Sequence, residues 1–345
     1  MSVSFSDLIP ASRIADVEAA LKSTFNSQPL TDIALLAGGL SGSAVYKIIV
    51  QDRAYVLKLE QPAATGSPDT ALALAAKAGI APTLYFQDIS TGISISSFID
   101  NRSLRTVFAP EKLTSELAII ISKIHAIPCN KEGADLETTI DNLISDFRQS
   151  RILYGPVFDE CFVQYEKIKS WYPWRDGEKV FSHNDLNPNN ILCDGEKLWI
   201  VDWDTAYLND RYVDLSGIAN FFVHTPELEK EFLQAYFGRA ASEQETARFY
   251  IMRQASRIIY AMLMFRLAAQ AQPAGYSHSQ EMEGMDMKTF GALMGAGKLS
   301  LATYEGQLMY GKALLNEAVY QMRTVRFAEA IGRGNRESAD GNRQT

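Results

Sequence analysis

The sequence has few cysteines, no long apolar run and no excess of basic residues. Its three cysteines are far apart and lack the close, paired spacing that a zinc site or a disulfide framework requires. The most apolar run, residues 117–127, is interrupted by Ser122, Lys123 and His125. No basic segment leads into an apolar stretch with a small-residue cleavage site. These absences predict a cytoplasmic protein that has neither a signal peptide nor a membrane-spanning segment.

The charge balance of the chain is mildly acidic. Lysine and arginine number 33 against 41 aspartates and glutamates, which gives a formal net charge of −8. No basic stripe is present that could neutralise a row of phosphates, so nucleic acid is not an expected partner. The chain shows no internal repeat. With 345 residues, 47% of them hydrophobic, it can bury a substantial core and is long enough for two domains or lobes.

The first hundred residues change from a helical pattern to a strand pattern. Apolar side chains follow helical spacing over residues 13–25 and then occur in short β-type runs. Ser67, Pro68 and Asp69 are typical of an N-cap, a first-turn proline and a first-turn acid, and they predict a short Ala-rich helix that ends near Gly79. The β-type runs predict a sheet of about five strands, at residues 33–36, 44–50, 54–59, 83–87 and 92–98.

From residue 110 onward the apolar spacing is mainly helical. The exception is a predicted hairpin at residues 190–203, where two short apolar runs flank the turn residues Asp194 and Gly195. A Gly-, Arg- and Asn-rich tail at residues 332–345 is expected to be disordered. The pattern predicts helical segments at residues 113–124, 143–152, 212–222, 227–237, 243–271 and 304–331.

The densest group of chemically active residues lies at the mouth of this hairpin. A hairpin folds its ends back together, so Asn190 and Asp202, twelve positions apart, are expected to meet beside Asp185. Two carboxylates and an amide oxygen on rigid supports suit Mg²⁺, which prefers oxygen ligands and completes its shell with water and substrate phosphates. The sequence therefore predicts a magnesium site at this mouth.

These residues also form a familiar order. The motif has a His and an Asp separated by one residue, His183 and Asp185. An Asn follows five positions after the Asp, and a second Asp closes the hairpin. This order resembles the catalytic and metal loops of protein kinases. Asn184 stands where protein kinases carry Arg, and no Lys lies two residues after Asp185. With the series from Asp202 to Asp214, these departures resemble the small-molecule branch, which includes choline/ethanolamine kinases and aminoglycoside phosphotransferases. The resemblance covers roughly residues 33–265.

The resemblance implies a two-lobed, protein-kinase-like α+β fold and the use of ATP with Mg²⁺. Residues 1–98 would form a nucleotide-binding lobe with an antiparallel sheet and one main helix, and residues 99–331 a larger, mainly helical catalytic and substrate-binding lobe. Asp185 would accept or orient the proton of the attacking hydroxyl, while Asn190 and Asp202 would hold the metal against the phosphates.

The nucleotide would contact three segments of the first lobe, by the same resemblance. Lys58 on the third strand would reach the α- and β-phosphates, and strand alternation puts Val56 on the same face, against the adenine. Ser41, Gly42 and Ser43 would lie over the nucleotide, although a plain hairpin turn is the alternative for this Gly-rich loop. Phe98 and Ile99 begin the segment that resembles the interlobe hinge, whose backbone binds adenine.

Two positions depart from the family pattern. Asn101 stands in the hinge where relatives usually have Gly, and Asn tolerates the left-handed conformation better than most residues. Kinase relatives pair the strand lysine with a Glu of the first-lobe helix, yet between Gln61 and Gly79 the only acid is Asp69. Asp69 either pairs with Lys58 or interacts only with the helix dipole.

Other residues near the motif have supporting or acceptor-binding roles in this interpretation. His183 is expected to support the loop by hydrogen bonding, and Asp214 to tie the following helix to it. Asp204, Asp210 and Tyr207 are candidates for binding a cationic acceptor, through charge and cation–π contacts. The alternative is that the acids are solvated and the aromatic ring belongs to the core.

Three functions remain open from the sequence. The first is an ATP- and Mg²⁺-dependent kinase for a choline/ethanolamine-type amino alcohol. The second keeps this chemistry but phosphorylates an aminoglycoside, sugar or amino-acid hydroxyl. The third is a nucleotide-binding pseudokinase that regulates a partner, and the missing helix Glu favours it. An intact set of Asp185, Asn190 and Asp202 argues for the two catalytic alternatives.

Overall fold

Both sheet and helix form along the chain, which confirms the predicted α+β class. The computed structural model describes residues 8–26, 28–36, 43–63, 70–175, 179–282 and 284–332. The helices within these ranges include α1 (Ile14–Phe25), α2 (Ala71–Lys77), α3 (Leu104–Val107), α4 (Pro110–His125), α5 (Leu136–Ser150), α6 (Pro156–Trp171), α7 (Arg211–Phe222), α8 (Pro226–Phe237), α9 (Glu243–Ala271), α10 (Met287–Gly295) and α11 (Tyr304–Met322). The strands are β1 (Leu30–Leu35), β2 (Ala44–Val50), β3 (Arg53–Leu59), β4 (Leu84–Asp88), β5 (Ile93–Ser97), β6 (Lys179–Ser182), β7 (Ile191–Cys193), β8 (Leu198–Ile200) and β9 (Tyr207–Asp210).

These elements belong to two compact units. The first unit comprises Met1–Pro128 and Asp185–Ala206, and the second comprises Cys129–Asn184 and Tyr207–Thr345. The first unit therefore contains the five-stranded sheet and the β7–β8 hairpin, while the second contains the β6–β9 pair and α5 to α11. These units are defined by which residues pack together. The boundary predicted between residues 98 and 99 separates lobes by what they bind, and it stays a prediction.

The sheet of the first unit has two different faces. Its strands are antiparallel in the order β1-β2-β3-β5-β4, which confirms the five predicted strands to within three residues at each end. Leu57 and Leu59 of β3 are buried in a core that includes Val17 of α1. Val56 and Lys58 alternate with them and lie on the opposite, half-buried face. Packing of α1 on one face thus leaves the other face for a ligand.

The helix of this lobe begins later than predicted. Its N-cap is Thr70, whose hydroxyl accepts a hydrogen bond from the N–H of Ala73 at 3.0 Å and replaces Ser67 as the expected cap. The prediction of Ser67 as the cap was wrong because Thr70, which has an extended backbone directly before the first helical turn, supplies the capping hydroxyl. The first turn of α2 contains no acid. Ser67, Pro68 and Asp69 lie outside the described residues.

In the second unit, α9 is the central helix. It spans 29 residues with buried side chains on several faces, because α5, α7 and α11 all pack against it. Its predicted bounds, 243–271, are confirmed. The last predicted helix is interrupted, since α11 ends at Met322 and residues 325–332 form a separate helical segment. Thr324 causes the break: its hydroxyl accepts from the N–H of Phe327 at 3.3 Å and caps the new segment. Residues 333–345, the rest of the predicted disordered tail, lie outside the described residues.

Among the described residues, no helix is both long enough and apolar enough to cross a membrane.

We expect Gly311→Ala to destabilise the protein. A Cβ at Gly311 of α11 would lie 2.5 Å from a ring carbon of Phe265, which is fully buried in α9, so the two helices would have to separate. Overpacking of this kind costs about 1–3 kcal/mol. The measurement is the free energy of unfolding in urea. Gly291→Ala in α10 is the matched control, because nothing lies within 4 Å of its Cβ position, and it should stabilise the protein by about 0.5–1 kcal/mol. Equal effects of the two substitutions would contradict the packing of α9 on α11.

We expect the ion pair at the start of α9 to give a pH-dependent contribution to stability. Hydrogen bonds from Arg239, aided by the N–H of Ser242 and opposed by burial, lower the pKa of Glu245 to about 2. A lowered folded-state pKa stabilises the fold above the unfolded value of about 4.3 and loses this effect as the pH falls from there towards 2. Glu245→Gln should therefore lower the free energy of unfolding by about 0.5–1 kcal/mol at pH 7, and by progressively less below pH 4.

The charge-matched control for this measurement is Glu231→Gln, on the exposed surface of α8. Urea titrations of both variants at pH 7, 5 and 3.5 separate the specific effect from that of net charge. A deficit of Glu245→Gln that is the same at all three pH values would show that the carboxylate makes no such contribution.

Candidate active site

The loop that follows β6 holds Asp185 and Asn190 together. The side-chain amide of Asn190 donates to the main-chain oxygen of Asp185 at 2.9 Å and to its carboxylate Oδ2 at 3.2 Å. A short 3₁₀ turn, Pro188–Asn190, makes this possible, and the side chain of Asn187 caps it by accepting from the N–H of Asn189. Because the amide nitrogen faces Asp185, the amide oxygen of Asn190 is the atom that a cation would bind.

The β7–β8 hairpin brings Asp202 to the same mouth, as the sequence predicts. The N–H of Val201 donates to the main-chain oxygen of Asn190 at 3.0 Å, so the two ends of the hairpin are directly bonded. Asp202 follows in the left-handed conformation, with φ of +66°. The buried Trp203 anchors this turn, because its indole N–H donates to the oxygen of Ile200 at 3.1 Å. Asp202 is therefore held on a fixed backbone.

Lys58 of β3 reaches this mouth and contacts three carboxylates. Its Nζ lies 2.6 Å from Glu60, 2.9 Å from Asp204 and 3.1 Å from Asp202. Burial opposes the charge of Lys58, but the attraction of Asp204 and Glu60 is larger and raises the pKa of the lysine above its usual value. The side chain is thus a permanent cation that is 16% exposed and already aimed at the site.

The residues at the mouth fit a magnesium ion. Asp202 supplies a carboxylate and Asn190 an amide oxygen, and Mg²⁺ is commonly held by one or two such protein ligands together with water and phosphate oxygens. Among the described residues there is no group of three or more His, Cys, Asp or Glu that could hold a metal by itself. The donor set therefore suits a metal that arrives with a phosphate substrate.

The half-buried face of the sheet continues the site towards the hinge segment. Val56 pairs across the sheet with Lys47, and the ammonium of Lys47 lies 4.4 Å from the ring centre of Phe98. Ile99 and Ser43 are half-buried. The remaining residues predicted to contact the nucleotide, Ser41, Gly42 and Asp69, lie outside the described residues. Whether Asp69 pairs with Lys58 or interacts only with the helix dipole therefore stays open.

Asn101 has a different part in the structure from the one expected. Its backbone does not adopt the left-handed conformation that explained the replacement of Gly, so that explanation was wrong. Its side-chain oxygen instead accepts the N–H of Cys193 at 2.9 Å, and the N–H of Arg102 donates to the oxygen of Cys193 at 2.7 Å. The hinge segment is thereby bonded to β7 as a short additional strand would be.

Within the second unit, Asp214 supports the chain that leads to Asp185. Its two carboxylate oxygens accept the N–H groups of His183 and Asn184, each at 2.8 Å, and both His183 and Asp214 are fully buried. Asn184 has a φ of +66°, and its side chain accepts from Asn209 at 2.8 Å. Asp214 lies in the first turn of α7, so its carboxylate joins that helix to the end of β6.

The three residues predicted to bind the acceptor all have partners inside the fold. Asp204 binds Lys58. Asp210 caps α7 through the N–H of Tyr212 and accepts the hydroxyl of Tyr172, both at 2.8 Å, while burial raises its pKa. Tyr207 of β9 is packed on the backbone of Gly133, where an added Cβ would lie 2.1 Å from the ring. Their contacts explain these residues structurally, without an acceptor.

The site residue that the sequence analysis missed is Glu60. It directly follows β3 and lies two positions after Lys58, so strand alternation puts both side chains on one face. That spacing was the available signal. Glu60 precedes the helix on which kinase relatives carry the partner of this lysine.

The chain matches a known protein family over most of its length. A model of the phosphotransferase enzyme family, APH, matches residues 32–250. A protein of Metamycoplasma hominis, described as uncharacterized, is 44% identical over 55 residues, and this match spans 16% of the chain and only 11% of that protein's length.

Solved structures match over most of the chain. A choline/ethanolamine kinase family protein from Mesorhizobium loti has a TM-score of 0.64 at 19% identity, covering 93% of this chain and 98% of its own. The choline kinase LicA from Streptococcus pneumoniae has a TM-score of 0.56 at 16% identity, and the match covers 90% of this chain and 99% of LicA. Spectinomycin phosphotransferase APH(9)-Ia, in complex with ADP and spectinomycin, has a TM-score of 0.61 at 13% identity, and the match covers 91% of this chain and 99% of that structure's chain. At these identities the likeness concerns the fold, and it confirms the predicted protein-kinase-like fold.

We expect Asp214→Asn to destabilise the protein by about 2–3 kcal/mol. An amide offers one acceptor atom where the carboxylate offers two, so one of the two buried N–H groups of residues 183 and 184 would face another donor. The measurement is the free energy of unfolding in urea. Asp159→Asn, in the exposed first turn of α6, is the control and should change stability by less than about 0.5 kcal/mol. Similar stabilities of the two variants would contradict the supporting role.

Proposed function

Because the chain belongs to the phosphotransferase enzyme family, we propose that it transfers the γ-phosphate of ATP to a hydroxyl group of a small molecule. The observation that carries the proposal is the bond of the Asn190 amide to the carboxylate of Asp185, at a mouth that also contains Asp202 and Lys58. This arrangement combines a base, two metal ligands and a phosphate-binding cation. A cytoplasmic location, predicted from the sequence, belongs to the same proposal.

Asp185 is the proposed catalytic residue. The acceptor hydroxyl oxygen attacks the γ-phosphorus, the bond from that phosphorus to the β,γ-bridging oxygen breaks, and ADP leaves with the electron pair. The hydroxyl proton passes to the carboxylate of Asp185. Asn190 donates to one oxygen of this carboxylate, so the group has a fixed orientation before the acceptor arrives.

Asn190 and Asp202 are the proposed metal ligands. A bound Mg²⁺ would neutralise charge on the β- and γ-phosphates. The protein's own contribution is geometric, because the bond of Val201 to Asn190 and the anchoring of Trp203 hold the two ligands in place. With a metal held by Asp202, Lys58 would lose this partner, and its charge would be available to the α- and β-phosphates.

The nucleotide base is proposed to lie on the half-buried face of the sheet. Val56 is on the same face as Lys58, and Phe98 and Ile99 follow β5 at the start of the hinge segment. Ser41, Gly42 and Ser43 complete the proposed phosphate loop. The ADP complex of spectinomycin phosphotransferase, which shares this fold, supports nucleotide use.

An amino alcohol of the choline or ethanolamine type is the acceptor we propose. The sequence from Asp202 to Asp214 resembles that of choline kinases, and choline/ethanolamine kinase family proteins are among the structural neighbours. Asp204 and Asp210 do not contribute to this choice, since both are bonded within the fold. An aminoglycoside, sugar or amino-acid hydroxyl is the alternative acceptor, which spectinomycin phosphotransferase as a neighbour favours.

The pseudokinase alternative has less support from the structure than from the sequence. It was motivated by the absence of a helix Glu that could pair with Lys58. Lys58 has carboxylate partners at 2.6 to 3.1 Å nonetheless, so the lysine is charged and held in place. A regulatory protein would bind Mg²⁺-ATP and release no ADP with any acceptor.

We expect ADP release from Mg²⁺-ATP in the presence of choline or ethanolamine. The measurement is a coupled assay over a panel of amino alcohols, aminoglycosides, sugars and hydroxy amino acids, with phosphorylated product confirmed by mass spectrometry. Asp185→Asn should lower kcat about 100-fold or more, because it keeps the shape and the bond to Asn190 but removes the base. Asp159→Asn, on the exposed surface of α6, serves as the control.

Each outcome of the panel has a separate meaning. Turnover of an aminoglycoside or sugar alone would replace the amino alcohol as acceptor. An Asp185→Asn variant as active as the parent would show that the base is assigned to the wrong residue. ATP binding without turnover of any acceptor would favour the pseudokinase.

A further inference from the structure

The phosphate-binding lysine has a carboxylate partner next to its own strand. We propose that Glu60 is a positioning residue, which holds Lys58 in place for the nucleotide phosphates and takes the part that a helix glutamate plays in protein kinases. This inference rests on the proposed phosphotransferase function. It is carried by the contact between the two side chains and by the way in which the main chain of Glu60 is fixed.

The contact itself follows from strand geometry. Residues two positions apart on an extended strand point to the same face, about 6.5–7 Å apart along the chain, which is a distance that a long Lys and a long Glu can bridge. Nζ of Lys58 and Oε1 of Glu60 lie 2.6 Å apart, the shortest of the three contacts of the lysine. The glutamate is therefore held beside the lysine by the sheet and needs no helix to bring it there.

The main chain of Glu60 is fixed from two sides. Its N–H donates to the oxygen of Gly92 at 2.7 Å, which continues the β3–β5 pairing, and its oxygen accepts from Nη1 of Arg13 at 2.9 Å. Arg13 also binds the oxygen of Thr91, so one guanidinium ties together the end of β3 and the β4–β5 turn. Gly92 has a φ of +64°, and a Cβ there would lie 2.5 Å from the oxygen of Glu60. A side chain at position 92 would therefore collide with the main chain of Glu60.

The other two carboxylates are less suited to hold the lysine during turnover. Asp202 is a proposed metal ligand, so its bond to Lys58 is given up when the metal binds. The side chain of Asp204 is 45% exposed and follows the hairpin, next to the metal position. Helix α2 carries no acid within Ala71–Lys77, where a kinase-type partner would be expected. Glu60 is the partner whose position does not depend on the state of the metal.

The first experiment is a crystal structure of the complex with Mg²⁺-ADP. We expect the ammonium of Lys58 to lie within hydrogen-bond distance of both the Glu60 carboxylate and an α- or β-phosphate oxygen. A complex in which Lys58 pairs with Asp69 or another acid, and not with Glu60, would overturn the inference. This readout does not depend on turnover or on the identity of the acceptor.

The second experiment compares Glu60→Gln with Glu18→Gln. Both remove one negative charge, and Glu18 lies on the exposed surface of α1, so it controls for net charge. We expect Glu60→Gln to lower kcat roughly 10- to 100-fold, because misplacing a phosphate-binding group has effects of this size, while the KM for ATP changes less than about threefold. Its melting temperature should stay within about 2 °C of the parent, since a partly exposed ion pair contributes little to stability and Lys58 keeps Asp202 and Asp204 as partners. In a Lys58→Met background, Glu60→Gln should lower kcat no further.

The outcomes separate this inference from the proposed function. Equal kcat of Glu60→Gln and Glu18→Gln, or an undiminished effect of Glu60→Gln in the Lys58→Met background, would overturn the positioning role while the phosphotransferase function stands. Absence of turnover with any acceptor, together with a Lys58–Glu60–phosphate contact in the ADP complex, would overturn the function and support the positioning role. A protein that binds no nucleotide would overturn both.

Discussion

The polar site of the first unit depends on the attraction between the ammonium group of Lys58 and the carboxylates around it. Three carboxylates, one beside β3 and two in the loop after the hairpin, lie within 3.1 Å of its nitrogen, and their mutual repulsion would separate them without that cation. Lys58 faces them because Leu57 and Leu59 on either side of it are buried against α1. The same alternation that forms the core therefore also presents the cation, and loss of either would affect the other.

Local patterns predicted those parts of the structure that depend on local physics. The hairpin at residues 190–203 could be predicted because two apolar runs flank an Asp-Gly turn, and its closure alone brings Asn190 to Asp202. The bounds of α9 were also predicted from helical spacing, and the structure adds a capping box of Ser242 and Glu245 at its start. Asp185 lies before the hairpin, and the side-chain amide of Asn190 joins it to the same mouth. Their roles came from resemblance and stay proposals.

The features that the sequence did not predict depend on contacts between distant residues or on which of several possible caps forms. Strands β6 and β9 have four residues each and pair across 24 intervening residues, which no local pattern indicates. Asp210 was a candidate for binding an acceptor, with a solvated loop acid as the alternative, but it lies at the end of β9 and caps α7. Thr324 interrupts an apolar pattern that continues on both sides, because a cap can form inside it. Glu60 differs from these cases, because it directly follows a strand and does not lie on the helix on which kinase relatives carry the partner of the lysine.

The left-handed backbone of Asn184 and Asp202 restricts how this loop can be altered. Both residues have a φ of +66°, a region that Gly, Asn and Asp tolerate and that β-branched residues avoid. An alanine at position 202 would therefore combine the loss of a proposed metal ligand with a backbone cost of about 1–2 kcal/mol, and a loss of activity would not report on metal binding alone. Directed-evolution libraries for new acceptors should keep Gly, Asn or Asp at these two positions and place their diversity elsewhere.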